Sequence, residues 1–420
     1  MIQAPKGVED ILAPKALYYN YIERKAGDFF SSYGYVPIRT PTFERTELFL
    51  RSVGQETDVG KQMYTFKDKA GRSISLRPEG TAGIVRAYIE HKIYGKRKEW
   101  RVYYSGPMFR YEKPQAGRLR EFYQIGVECF GEKSFWIDIE IVEMAYRFLK
   151  KIGAENIEIQ INSIGCKNCK GIYVDKLRSF LKDYTKDLCS TCKRRLLYNP
   201  LRVLDCKNIN CRAILEKAPK IENFLCSSCK EHFENVKKGL DQLNISYKVN
   251  PYLVRGLDYY TRTIFEIVSP SLGAQNTVCA GGRYDDLIEE LGGPSTPAIG
   301  FAIGVERLFL TLEKSGVKIQ LFPLTSIFIA TIGQNSVEKG MQFANIIRSQ
   351  GIRVKVNFTD KSLSSQLKQA HKEGFPWVLI VGEEEIQKGK YILKHMESGK
   401  QIFINAQDFQ TFNKILKTGV

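Results

Sequence analysis

The sequence predicts an α+β protein whose larger part is built on a mainly antiparallel sheet and whose C-terminal part is a separate compact α/β unit. Three observations carry this. The runs Trp100–Arg110 and Glu121–Phe130 alternate in polarity and flank a Lys113-Pro114-Gln115-Ala116-Gly117 turn, the pattern of a long hairpin. Further strand-like runs follow with helices placed irregularly between them, not in regular βαβ order. From Ser326 onward, short apolar runs alternate with amphipathic stretches instead.

Taken in order, residues 14–31 read as an amphipathic helix starting at Pro14. Val36 to Pro41 is extended, because each proline biases its predecessor away from the α region. Arg72–Arg77 alternates as a strand and runs into Pro78-Glu79-Gly80-Thr81, with a helix following through Ile89. Asp138–Ile152 has helical apolar spacing and stops at Gly153, and Ile157–Ile161 is a strand. Strand-like sequence resumes near Tyr247 and includes Leu253–Tyr260, Thr263–Val268 and Thr277–Ala280. Gly281–Asp286 reads as a glycine turn opening a short helix, and Pro297–Gly304 gives way to a helix from Val305. Ser326–Ala330, Val354–Val356, Trp377–Val381 and Gln401–Ile404 are the expected strands of the C-terminal unit, with the joint at Lys318–Pro323. The expected organisation is therefore a core over 1–318, interrupted by a cysteine-rich insertion at 164–236, and a second domain over 325–420.

At 420 residues, 43% hydrophobic and 26% charged, the composition is that of a folded globular protein. The net charge of +17 points to a polyanionic partner, with nucleic acid leading. The N-terminal MIQAPKGVED carries acids and no apolar run, and runs such as Trp377–Val381 are too short to cross a bilayer, so a cytoplasmic protein without membrane attachment is expected. Eight of the ten cysteines, Cys166, Cys169, Cys189, Cys192, Cys206, Cys211, Cys226 and Cys229, fall in the pattern C-x2-C, C-x2-C, C-x4-C, C-x2-C. In a reducing compartment this spacing favours metal over disulfides, and eight thiolates suffice for two structural zinc sites. The alternative is a small helical insert with unligated thiols. Cys129 and Cys279 sit in apolar strands and read as core.

The hairpin carries the strongest functional signal. Side chains two apart share a face of a strand. Arg110 and Glu112 therefore project together from the first strand, and Phe122, Gln124 and Glu128 from the second, with Gly126 leaving a gap among them. The opposite face holds Tyr123, Ile125, Val127 and Cys129 and should be buried. Such a row suits a phosphate-bearing substrate, since a guanidinium binds phosphoryl oxygens bidentately and a carboxylate accepts from an amine. Arg255, between Val254 and Gly256, reads as a buried arginine in need of an anion. No Walker loop, no helix-opening Gly-x-Gly-x-x-Gly and no His-Glu-x-x-His occurs, and His91, His232, His371 and His395 are isolated, each a surface or capping residue. Taken singly, Glu79 suits a helix N-terminal acid, Tyr259 and Tyr260 suit core aromatics, and Arg307 suits a helix-surface cation.

Over essentially its full length the chain resembles the histidyl-tRNA synthetases, class II aminoacyl-tRNA synthetases. Arg39-Thr40-Pro41 through Phe43-Glu44 resembles the first class motif, Phe109–Glu128 the second, and Gly300–Arg307 the third. Leu253-Val254-Arg255-Gly256-Leu257-Asp258-Tyr259-Tyr260 and Ala280-Gly281-Gly282-Arg283-Tyr284-Asp285 resemble segments specific to the histidine enzymes. The resemblance implies a class II catalytic core with a C-terminal anticodon-binding domain, a homodimer, and the activation of L-histidine with ATP and Mg²⁺ before transfer to tRNA(His). It implies that Arg110 grips the ATP α-phosphate, Glu112 reads the adenine amino group, Phe122 stacks on the base, and Arg118 and Arg307 hold the outer phosphates. Glu79, Gly80, Thr81 and Gln124 would fix the amino acid's amino group and carboxylate. Glu128 and Tyr260 would bond the two imidazole nitrogens, Tyr259 would line the pocket, and Arg255 would stabilise charge at the reacting phosphorus. The eight-cysteine pattern is absent from many relatives, so zinc rests on spacing alone.

Two rival classes remain. A regulatory paralogue, such as the regulatory subunit of ATP phosphoribosyltransferase, resembles the synthetase core but typically lacks the C-terminal domain and the arginine segment, both present here. A zinc-bearing nucleic-acid-binding protein would leave the row of Arg110, Gln124 and Glu128 unexplained.

Overall fold

The computed structural model describes residues 2–54, 57–317, 326–406, 412 and 416; the expected joint at Lys318–Pro323 lies outside them. The chain divides into two compact units, Met1–Lys318 and Ile319–Val420. In the first, one eight-stranded sheet contains β1 (Val36–Pro37), β2 (Trp100–Phe109), β3 (Glu121–Phe130), β4 (Glu158–Ser163), β5 (Tyr247–Val249), β6 (Thr261–Val268), β7 (Thr277–Arg283) and β8 (Ala298–Gly304). Their order is β1-β2-β3-β8-β7-β6-β4-β5. Every pairing from β2 to β4 is antiparallel, and the two edge pairs are parallel. The hairpin register runs from Trp100 opposite Phe130 to Phe109 opposite Glu121.

The labelled helices of this unit are α1 (Lys15–Ser31), α2 (Thr81–Glu90), α3 (Phe135–Lys151), α4 (Lys167–Asp183), α5 (Ser190–Tyr198), α6 (Ile209–Leu215), α7 (Ser227–Gln242) and α8 (Val305–Lys314). The apolar face of β3 is buried as expected, with Ile125, Val127 and Cys129 excluded from solvent. Phe30 of α1, Phe148 of α3 and Phe301 of β8 interlock there at centroid distances of 5.2 and 5.7 Å. That packing leaves the other face of the sheet free to hold polar groups. α3 starts at Phe135, before the expected Asp138, because Ser134 Oγ accepts the Trp136 amide at 3.3 Å and caps it.

Two expected elements differ. Leu253–Tyr260 is not a strand but a series of turns, whose Leu253 carbonyl accepts from the Asn162 side chain at 3.1 Å. Gly281 to Arg283 is not a turn: it continues β7, because glycines there let β7 approach β8 and β6 closely. The insertion (α4 to α7) contributes buried apolar side chains as well as its cysteines. Tyr173, Leu177, Leu181, Leu196, Leu201 and Leu215 are buried in a cluster that runs on into Leu253, Val254, Tyr259 and Tyr260. Its last helix, α7, passes through residue 236, the expected end of the insertion, and packs on α3.

In the second unit, a five-stranded sheet contains β9 (Ile327–Ile332), β10 (Val354–Val356), β11 (Trp377–Gly382), β12 (Lys390–His395) and β13 (Gln401–Asn405), in the order β10-β9-β11-β12-β13. β12 was not anticipated. Its apolar core is short and flanked by lysines, and it is held by antiparallel pairing with β11 and β13. No helix among the described residues is long and apolar enough to cross a membrane.

A buried charge network ties β7, α3 and α7 together. Arg283 (1% exposed) donates Nε to Asp138 Oδ2 at 2.7 Å and Nη1 to Asp285 Oδ1 at 3.1 Å. Asp138 Oδ1 meets His232 Nε2 at 2.9 Å. His232 is thus not an isolated surface or capping residue but a partner in a buried network. Breaking one arm of such a set strands a charge in the interior, so Arg283→Met should destabilise the protein by about 3–5 kcal/mol, read from urea unfolding. A loss under about 1 kcal/mol would show that the network contributes little.

Candidate active site

The polar face of the sheet forms a pocket because its central strands carry small residues there. Tyr104, Gly126, Ala302, Ala280 and Glu266 are register neighbours across β2, β3, β8, β7 and β6. The next row runs Val102, Glu128, Gly300, Gly282 and Ile264. Gly126 does not leave an open gap, contrary to the sequence reading. A Cβ there would lie 2.6 Å from the Tyr104 hydroxyl, so the phenol occupies the space and floors the pocket. Gly80 makes room for the same ring, since a Cβ there would come within 2.5 Å of it.

At one end of the pocket sit the carboxylates. Glu128 is 1% exposed. Its Oε1 accepts from Thr81 Oγ1 at 2.6 Å, and its Oε2 accepts from the Tyr284 hydroxyl. Burial pushes its pKa up to about 8. Tyr259 and Tyr260 wall this end with ring centroids 4.8 Å apart, and Tyr284 packs edge-on to Tyr259 at 5.5 Å. Glu79 is buried and accepts from the Thr81 and Ala82 amides at 2.6 and 2.9 Å. It caps α2, as the helix-terminal reading had it, yet it also lines the pocket, and burial raises its pKa.

At the other end the arginines gather. Arg110 follows the last residue of β2, donates Nε to the Pro78 carbonyl at 2.8 Å, and lies over the Phe122 ring at 5.1 Å. Arg307, from α8, donates Nη1 to the Thr277 carbonyl at 2.9 Å. Arg118 pairs with Glu112, whose Oε1 lies 4.0 Å from Arg110 Nη1. Burial lowers the pKa of Arg110, and burial together with Arg118 and Arg110 lowers that of Arg307. These cations therefore disfavour one another, and an anion placed among them would relieve that. Glu112 projects from the loop beyond β2, not from the strand as expected. Arg255 reaches the pocket from the irregular segment and finds its anion in Glu266, which also accepts from Thr277 Oγ1 at 2.9 Å. Gln124 Oε1 and Arg255 Nε are buried without a hydrogen-bond partner, two unmet polar atoms that a polar ligand can satisfy.

The structure thus brings Glu79, Thr81, Arg110, Glu112, Arg118, Phe122, Gln124, Glu128, Arg255, Tyr259, Tyr260 and Arg307 to one cavity, with Gly80 beneath Tyr104. Sequence reasoning missed Tyr104, Glu266 and Tyr284. Tyr284 lay inside a quoted signature segment, whereas Tyr104 and Glu266 carry no local signal beyond strand alternation.

The eight insertion cysteines form two clusters away from this cavity: Cys166, Cys169, Cys226 and Cys229, and Cys189, Cys192, Cys206 and Cys211. Within each, all sulfurs lie within 4.8 Å of one another, near the separation of about 3.8 Å that a tetrahedral thiolate site requires. Cys166, Cys189 and Cys226 occupy the N-cap positions of α4, α5 and α7. The Cys226 amide donates to Cys169 Sγ at 3.1 Å, and the Cys166 and Cys189 amides donate to Cys229 and Cys211 Sγ at 3.3 Å. Either set could hold a metal ion, and the pairing, which spacing left open, joins the outer two C-x2-C motifs.

Residues 7–167 and 203–308 match the family model for histidyl-tRNA synthetase, and residues 326–415 match that of an anticodon binding domain. The chain is 47% identical over 404 residues to a histidine–tRNA ligase of Halothermothrix orenii, covering 96% of each. It is 44% identical over 418 residues to a histidine–tRNA ligase of Clostridium botulinum strain Kyoto, covering 99% of this chain and 100% of that one. The crystal structure of apo histidyl-tRNA synthetase from S. aureus superposes with a TM-score of 0.82 at 36% identity, covering 98% of this chain and 99% of that one.

The raised pKa of Glu128 gives the ligand-free protein a pH-dependent cost. Its folded value of about 8 lies above the ordinary 4.5, so the folded state holds an extra proton between them. The cost is absent below pH 4.5, grows as pH rises to about 8 and is constant above that. Glu128→Gln should therefore stabilise the free protein relative to wild type by an amount growing to the order of a few kcal/mol across that range. Thermal melts at a series of pH values test this; a difference independent of pH would refute it.

Proposed function

The chain belongs to the histidyl-tRNA synthetase family, and on that premise we propose how its site carries out the ATP-dependent ligation of histidine to tRNA. The observation that carries the proposal is the segregation of charge along one cavity, with carboxylates and tyrosines at one end and arginines at the other. Glu128 and Tyr260 bind the two imidazole nitrogens, with Tyr259 lining the pocket, so an isostere lacking either nitrogen leaves buried groups unpaired. Glu79, Thr81 and Gln124 fix the amino group and carboxylate, and Gly80 keeps Tyr104 close beneath them. MgATP enters as substrate at the arginine end. Arg110 holds the α-phosphate, Glu112 the adenine amino group and Phe122 the base, while Arg118 and Arg307 hold the outer phosphates.

In the first step a histidine carboxylate oxygen attacks the α-phosphorus, the bond to the β-phosphate oxygen breaks, and pyrophosphate leaves. Arg110 and Arg255 face the charge that grows on the phosphoryl oxygens. In the second, the terminal ribose hydroxyl of the tRNA attacks the activated carbonyl and AMP leaves, an adenylate phosphate oxygen taking the hydroxyl proton. No protein side chain is needed as base.

The turn at Lys113-Pro114-Gln115 faces the acceptor end of tRNA(His), and the unit over 325–420 reads the anticodon, uses that the net charge of +17 suits. Exposed Phe43 (57%), two residues after Pro41, supports a homodimer through the 39–44 stretch. Both thiol clusters suit zinc: four sulfurs, helix N-termini and backbone N–H···S bonds at each. Bound there, zinc would supply a closed structural cross-link, and its dependence on reduced thiols suits a cytoplasmic setting.

The test of the chemistry is histidine-dependent ATP–pyrophosphate exchange. The wild type should exchange, and Arg255→Ala should lose on the order of 10²–10³-fold in kcat; no exchange, or an unimpaired variant, refutes the mechanism. For the insertion, elemental analysis of protein purified without chelator should find two zinc ions per chain, from the two clusters. Fewer than about one would reject the zinc assignment.

A further inference from the structure

We propose that the cysteine-rich insertion positions the amino-acid pocket, with Lys170 and Asn199 as the positioning residues that hold the Asp258–Tyr260 stretch in place, Lys170 through its carbonyls and Asn199 through the Asp258 carboxylate. The inference rests on the reading of Tyr259 and Tyr260 as histidine-binding residues. Its basis is that the segment supplying Arg255, Tyr259 and Tyr260 is a run of turns and is not carried by a strand ladder. A chain of this kind keeps its side chains in register only if other groups hold its backbone.

Those groups come from the insertion. Lys170 Nζ donates to the Asp258 carbonyl at 2.6 Å and to the Tyr260 carbonyl at 3.4 Å, spanning the residue whose ring walls the pocket. Asn199 Nδ2 donates to Asp258 Oδ1 at 2.5 Å. The exit of the segment is pinned as well: the Arg262 amide donates to the Gly165 carbonyl at 2.7 Å, and the Ile164 amide to the Arg262 carbonyl at 2.8 Å. Arg262 adopts a left-handed φ of 46° at that point, an uncommon conformation for a residue with a side chain.

Each thiol cluster braces one of the two contacts. Lys170 directly follows Cys169 in the first turns of α4, whose start is held by Cys166 among the first four cysteines. Asn199 caps the C-terminus of α5, whose N-terminus is held by Cys189 and Cys192 among the second four. The two clusters therefore locate the ends of two levers that meet at Asp258.

The experiment is exchange kinetics on the full-length protein purified without chelator, with histidine and ATP varied separately, together with calorimetric titration of histidine. Lys170→Met and Asn199→Ala should each raise the histidine KM and Kd by about tenfold, the equivalent of one lost hydrogen bond, while the ATP KM changes less than about twofold. Lys170→Arg, which keeps a donor cation, should recover most of the loss. An unchanged histidine KM, or histidine and ATP KM values rising together, overturns the inference, as does a defect confined to tRNA charging. Asn199→Ala keeps the question open to measurement if Lys170→Met fails to fold. A wild type without histidine-dependent exchange would instead sink the histidine reading itself, which separates the two failures.

Discussion

An acid held out of water sets the terms for this site. Glu128 lies on the polar face of a central strand, 1% exposed, and a carboxyl there is costly unless its oxygens are met. Thr81 meets one oxygen and Tyr284 the other. Those donors come from the N-terminus of α2 and from the residue after β7, so the acid fixes the relative placement of a helix and a strand end far apart in sequence. The small residues around it follow from the same need. Gly300 stands where a side chain would collide with the carboxylate, and Gly126 admits the Tyr104 phenol beneath it.

The arginine end has the opposite problem. Arg110, Arg118 and Arg307 converge there; burial opposes charge on Arg110 and Arg307, and at Arg307 the other two arginines oppose it further. Glu112, paired with Arg118, is the counter-ion that makes the cluster tolerable without a ligand. A polyanionic ligand placed there would supply several negative oxygens in place of that single carboxylate. These cations and Glu112 thus hold one another in place, so an anion would meet a site that is already arranged.

Much of this was legible in the sequence where the chemistry rides on strand alternation. The Phe122, Gln124 and Glu128 row and its buried reverse face follow from a period of two, and both hold in β3. Helix starts were less legible, since α3 is set by the Ser134 cap and not by apolar spacing. Tyr104 and Glu266 could not be read, because their roles depend on which strands become neighbours: β2 beside β3, and β6 two strands from β8. His232 escaped for the same reason. Its partner Asp138 lies 94 positions away in sequence, on a different helix.

The strand expected over Leu253–Tyr260 shows how the site itself limits secondary structure. Neighbouring residues of a strand point to opposite faces. Tyr259 and Tyr260 are adjacent in sequence, yet both line one cavity, with their rings 4.8 Å apart. A regular strand cannot deliver that pair, whatever its β propensity, so the chain here must leave the ladder. Leaving it gives up the backbone hydrogen bonds that would otherwise fix the segment, and the carbonyls of Asp258 and Tyr260 must find donors elsewhere. The donor they find is Lys170, on a helix whose first turn is held by a thiol cluster. An insertion that looks peripheral in the sequence is in this way part of what allows two consecutive tyrosines to face the same cavity.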